Sequence, residues 1–66
     1  MMLKTYRDCE RALVDAGFRH VRTKGSHRIY SKGSLTVPVP MNHPNRAASR
    51  VVLVNVKRAV RGSAII

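Results

Sequence analysis

Tyr6, Cys9, Leu13 and Ala16 recur at the three- and four-residue spacing of one helical face. Thr5 stands before them as an N-cap, and Asp8 three residues later makes an aspartate version of the capping box. Asp8 and Glu10 also fall in the first turn, where the helix dipole favours anions. Gly17 follows at the position that usually needs a positive φ. The pattern predicts a helix over residues 5–16 with one buried face. All three acids of the chain, Asp8, Glu10 and Asp15, lie on it. Its exposed side is therefore the least basic part of the molecule.

From Phe18 the period changes. Residues 18–23 mix aromatic and β-branched side chains with polar ones, as in a half-buried strand. Lys24-Gly25-Ser26 reads as a turn. Residues 27–31 read as a second strand, with Ile29 on one face and Arg28 and Tyr30 on the other. Lys-Gly-Ser returns at 32–34 as a second hairpin turn. Residues 35–39 make a third strand. Pro38 and Pro40 cannot donate to a ladder, so this strand belongs at a sheet edge.

Residues 41–45 are a loop by their Asn and Pro content. The stretch from Arg46 to Gly62 is rich in valine, which favours a strand. Its spacing favours a helix: Ala48, Val52, Val56 and Ala59 share one helical face, with Val51 and Val60 beside them. Asn45 is placed to cap the start and Gly62 to stop the end, with Arg58 and Arg61 suited to the dipole. Ser63 to Ile66 reads as a frayed or adhesive tail. The predicted order is α-β-β-β-α, an α+β fold. Two helices cover one face of a three-stranded antiparallel sheet, the arrangement of a double-stranded RNA-binding domain. The other face stays open for basic residues.

Length and charge narrow the function. A chain of 66 residues is one domain and buries only roughly 60% of its unfolded surface. A site must lie on the surface or be completed by a second chain. Cys9 is the only cysteine, so neither an internal disulfide nor a thiolate zinc cage can form. It reads as a small core residue. The N-terminal segment lacks the apolar run of a signal peptide, and no stretch is long enough to span a membrane. A cytoplasmic protein is expected. Thirteen Lys and Arg against three acids give a formal charge of +10. Most of the cations are Arg, the side chain that forks onto phosphate. The chain therefore suits a polyanion, nucleic acid first. An acidic protein or an anionic membrane surface would answer to the same charge.

The stretch Ala12 to Pro40 resembles the HicA toxin family, the small ribonuclease partners of bacterial and phage toxin–antitoxin pairs. The resemblance rests on the ordered set AGF at 16–18, VR at 21–22, KGSH at 24–27 with IY just after it, and TVPVP at 36–40. It extends over about residues 3–60, and the stretch from His43 to Arg61 is similar to the last helix of a divergent, phage-associated branch. The resemblance implies metal-independent cleavage of mRNA, with the single active-site histidine falling on His27. It also implies an acidic HicB-type antitoxin that covers that histidine. No metal or cofactor is expected.

The chemistry is also reasonable on its own terms. RNA carries its own nucleophile, the 2′-OH. A base takes its proton, cations hold the charge of the phosphorane, and an acid protonates the leaving 5′-oxygen. Histidine suits the base because its ordinary pKa lies near working pH. Lys24 and Arg28 flank His27 in sequence, and the backbone N–H groups of Gly25 and Ser26 can form an anion nest. Arg22 and Lys32 complete the candidate phosphate-binding set. His20, Tyr30 and His43 are candidates for the acid. Arg50, Arg58 and Arg61 are either a solvated helix face or further RNA contacts. Two rivals stand beside the enzyme. One is a non-catalytic module gripping double-stranded RNA or DNA. The other is a phage protein that sequesters an acidic host protein. In either, His27 is a plain turn residue.

Overall fold

The structure, a computed structural model, describes residues 3–64. Helix α1 spans Tyr6–Asp15, strands β1, β2 and β3 span Arg19–Lys24, His27–Lys32 and Leu35–Pro40, and helix α2 spans Arg50–Ser63. The strands form one antiparallel sheet in the order β1-β2-β3. The α+β order read from the sequence is the order of the fold. Both helices lie on the same side of the sheet, because one core holds residues of α1, α2, β2 and β3 together: Cys9, Leu13, Tyr30, Val37, Val39 and Val56, with Phe18 closing one end.

The start of α1 satisfies its unpaired N–H groups in full view of the sequence. Thr5 Oγ1 accepts from the Asp8 N–H at 3.1 Å, and the Asp8 carboxylate accepts from the N–H groups of Thr5 and Lys4 at 3.0 Å. Those backbone hydrogen bonds hold the Asp8 carboxyl below its ordinary range. The Tyr6 and Arg7 N–H groups donate to the carbonyls of Arg46 and Pro44. The loop before α2 thus caps α1 from outside. At the other end Gly17 takes φ +96°, as its position requires.

Both Lys-Gly-Ser triplets are two-residue hairpin loops. Gly25 and Gly33 have φ +61° and +59°, and the serine after each has a negative φ. This is the sign pattern of a type II′ turn, whose twist matches that of the flanking strands and whose first central residue is glycine. Nothing lies within 4 Å of a Cβ built at Gly33, so only the backbone resists a side chain there. Gly33→Ala is expected to lower stability by about 1–2 kcal/mol, and Gly33→Asn by less, because asparagine enters the left-handed region more readily. Urea unfolding of the three proteins checks the order.

The second helix begins later and ends later than its sequence pattern suggests. Ser49, not Asn45, is the N-cap, its Oγ accepting from the Val52 N–H. Residues 44–48 are not helical because their backbone is committed elsewhere: the Pro44 and Arg46 carbonyls accept from Arg7 and Tyr6, the Ala48 N–H donates to the Lys4 carbonyl, and Ala47 bridges Thr5. Gly62 lies inside α2, under the Leu35 side chain, and does not stop it. Val56 and Ala59 face the core as read, but Val51 in the first turn is 68% exposed. Of the proposed tail, Ser63 ends the helix with its side chain buried. Ile65 and Ile66 lie outside the described residues. No helix among the described residues is long and apolar enough to cross a membrane.

Candidate functional site

Alternation along β2 sorts its residues onto two faces. Tyr30 is in the core, so Arg28 and Lys32 share the helix side with it. His27, Ile29 and Ser31 lie on the open side. Register carries the same division to the neighbours, because residues paired across strands share a face. His27 pairs with Lys24 on β1 and with Pro40 on β3; Ile29 pairs with Arg22 and Pro38. His27, Lys24 and Arg22 thus share one open, solvent-facing surface, and all three are exposed. Paired residues have Cβ atoms about 5 Å apart, so the Lys24 ammonium can reach a group held at the imidazole.

The hairpin tip is anchored and open. The Ser26 carbonyl accepts from the Met41 N–H at 2.8 Å, which ties the tip to the end of β3. No atom lies within 4 Å of a Cβ built at Gly25. The tip is therefore open to solvent on the side where a side chain at Gly25 would stand, and Gly25 and Ser26 are both exposed.

Arg28 and Lys32 are not at this surface, although they belong to the set read from the sequence. Arg28 crosses to α1 and donates through Nη1 to Glu10 Oε2 at 2.7 Å. Lys32 Nζ donates to the Ala16 carbonyl at 2.7 Å and caps the end of α1. Each cation sits one residue out of phase with His27, and pleating alone sends it to the other side. Among the three candidates for the acid, Tyr30 is 1% exposed in the core. His20 pairs with it on the helix side and bonds Thr23 Oγ1 at 2.8 Å. His43 lies in the loop that caps α1. Neither His20 nor Tyr30 shares the open face with His27.

Arg19 does reach that face, and sequence reading missed it. The register slips by one residue between His20 and Arg22, a bulge at Val21. Strict alternation backwards from Lys24 would send Phe18 and His20 to the open face. The bulge reverses this: Arg19 pairs with Ser31 on the open side, and Phe18 turns into the core, 2% exposed. A phenylalanine that must be buried, in phase by strict alternation with two cations that must not be (Arg22 and Lys24), is the signal the sequence carries.

Behind the sheet, Glu10 receives hydrogen bonds from both Arg28 and the Tyr30 hydroxyl. Burial alone would raise the Glu10 carboxyl, but these two donors outweigh it and hold the group below its ordinary value. The Tyr30 phenol is pushed up to about 12, first by burial and then by its bond to the carboxylate. Neutral Tyr30 therefore favours the folded state. Its contribution is complete below about pH 10, the ordinary phenol value, and is lost as pH rises through about 12. Glu10 acts at the other limb: its contribution is present above its ordinary value of 4.5 and is lost as pH falls below that. Alkaline titration should show one tyrosinate appearing near pH 12 together with unfolding, and Tyr30→Phe should remove it.

Fold and surface together define a class: a small α-β-β-β-α protein whose helices back a sheet with a basic open face that carries His27. The sequence matches the family described as HicA toxin of bacterial toxin–antitoxin over residues 6–61. The chain belongs to the HicA toxin family. Membership makes it the toxin of a toxin–antitoxin system and implies an antitoxin partner. No curated protein and no solved structure matches it.

Proposed function

We propose that this protein is a metal-independent endoribonuclease that cleaves mRNA at His27. The observation that carries the reading is the placement of His27, Lys24 and Arg22 on one open face of a chain with formal charge +10 that belongs to a toxin family. His27 takes the proton of the 2′-OH. The oxygen attacks the adjacent phosphorus, and the bond to the 5′-oxygen breaks. Lys24, Arg22 and the N–H groups of Gly25 and Ser26 hold the phosphorane charge. His20 and Tyr30 lie on the other side of the sheet, and the leaving oxygen is protonated by solvent. Turnover is then slow, which a toxin acting on few messages tolerates. Arg28 and Lys32 support the scaffold and do not touch the phosphate.

The partner is an acidic HicB-type antitoxin, complementary to the open face, and the reaction is cytoplasmic. The test is purified protein, freed of antitoxin, incubated with RNA in the presence of a chelator. The expected products carry a 2′,3′-cyclic phosphate and a 5′-OH, and RNA methylated at the 2′-oxygen stays intact. Unbroken RNA at high protein concentration would overturn the reading. In that case the non-catalytic RNA-binding module becomes the better account of the same face.

A further inference from the structure

The open face has three columns, each with its own chemistry. Register sets them in three rows: Lys24–His27–Pro40, Arg22–Ile29–Pro38 and Arg19–Ser31–Thr36. The β1 positions of these rows are all cationic, and the bulged Val21, 57% exposed, falls between them. The β3 edge is uncharged and mostly apolar. All three acids lie on α1, behind the sheet.

We propose that this face selects unpaired RNA, with phosphates along Arg19, Arg22 and Lys24 and bases seated on Pro38 and Pro40. The inference rests on the ribonuclease reading and adds the part of the site that chooses the substrate. Neighbouring strands are about 4.8 Å apart, so the outer columns are about 10 Å apart. That matches the reach of one nucleotide from phosphate to base. A nucleotide laid across the first row has its phosphate at Lys24, its ribose over β2 and its base on Pro40. The 2′-OH belongs to the ribose and so comes to lie over His27. Rows follow one another about every 6.6 Å, two residues along a strand, a step an extended single strand can keep. Ile29 is 8% exposed yet stands apart from the core cluster. It stands in register between Arg22 and Pro38 and floors the second row.

Two prolines suit a base seat for a physical reason. The ring is rigid and apolar, and it carries no N–H. It can pack against the π-face of any base while offering no donor to the base edge, so it is tolerant of sequence. Because β3 is an edge strand, the sheet loses little by holding them. A duplex cannot use this seat, since its base faces are stacked and its edges paired. Pro38 and Pro40 are therefore specificity-determining residues for unpaired RNA.

The test uses the full chain carrying His27→Ala, which binds without cutting. A short labelled RNA is titrated as a single strand and as a duplex, by anisotropy, at several salt concentrations. The single strand is expected to bind at least about tenfold more tightly. Adding Pro38→Ala and Pro40→Ala should cost about fivefold or more of single-strand affinity and leave the salt slope unchanged, since no charge is altered. Adding Arg22→Gln instead should lower that slope by about 0.7. Pro38→Tyr, an aromatic at the same place, should restore or strengthen single-strand binding. Equal affinity for duplex and single strand would overturn the inference. So would single-strand affinity indifferent to both the alanine and the tyrosine variants. Wild-type cleavage that ignores the prolines removes this inference alone. The proline signature in a wild type that cuts nothing removes the ribonuclease reading alone.

Discussion

His27→Ala is expected to lower RNA cleavage by about 10²–10⁴-fold, the range of a lost proton-transfer group, and to abolish growth arrest when the protein is induced in bacteria. The fold should survive, because His27 is exposed and makes no side-chain hydrogen bond among the described residues. Thermal unfolding of the variant should therefore match that of the wild type. The two neighbouring cations give the control. Lys24→Gln removes a charge from the open face and should slow cleavage. Arg28→Gln removes one from the helix side, where its partner is Glu10, and should act on stability instead. Growth, message integrity and melting temperature, measured on all three variants, separate the effects. Equal toxicity of wild type and His27→Ala would make His27 a turn residue and leave the basic surface as a binding surface only.

Tyr30→Ala is expected to unfold the protein at room temperature. Tyr30 is among the largest fully buried side chains. It packs among Cys9, Leu13, Val37 and Val39 from the central strand of the sheet. Truncating a buried aromatic to alanine costs about 3–5 kcal/mol. A domain this small rarely has more than roughly that to lose. The hydroxyl adds to the loss, because Glu10 is then left half-buried with Arg28 alone. Tyr30→Phe separates the two contributions. It keeps the ring and drops only the bond to Glu10, for about 1–3 kcal/mol. Circular dichroism during urea unfolding should rank wild type above Tyr30→Phe, and that above Tyr30→Ala. An alanine variant that melts with the wild type would show that the core does not depend on this ring.

These two residues stand three apart in sequence, yet they act on opposite sides of the sheet. That difference is only half legible in the chain. The Thr5–Asp8 capping box, Gly17 after α1 and the Gly-Ser hairpin loops are local. Each is determined by residues within about four positions, so the sequence pattern found all of them. The start of α2 is not local. Asn45 is a good cap in isolation, but the loop around it is bonded to the backbone of Lys4, Tyr6 and Arg7, some forty residues away. Only the packed chain reveals that commitment.

The candidate site divides in the same way. KGSH at 24–27 marks His27, Lys24 and the Gly25–Ser26 tip as neighbours, and a two-residue hairpin keeps them so. Arg28 and Lys32 look equally suitable in one dimension. Pleating turns them to the far side, where Glu10 and the end of α1 take up their charge.

By itself the sequence determined the element order, the caps of α1, the turns, the charge and the histidine, because each follows from composition or from short-range geometry. Tertiary structure decided which cations stand with that histidine. The bulge at Val21 places Arg19 on its face, and β3 pairing places Pro38 and Pro40 opposite. A side chain's face depends on strand register, and register is set by burying Phe18, Tyr30, Val37 and Val39 together, a condition satisfied only when the whole chain is packed.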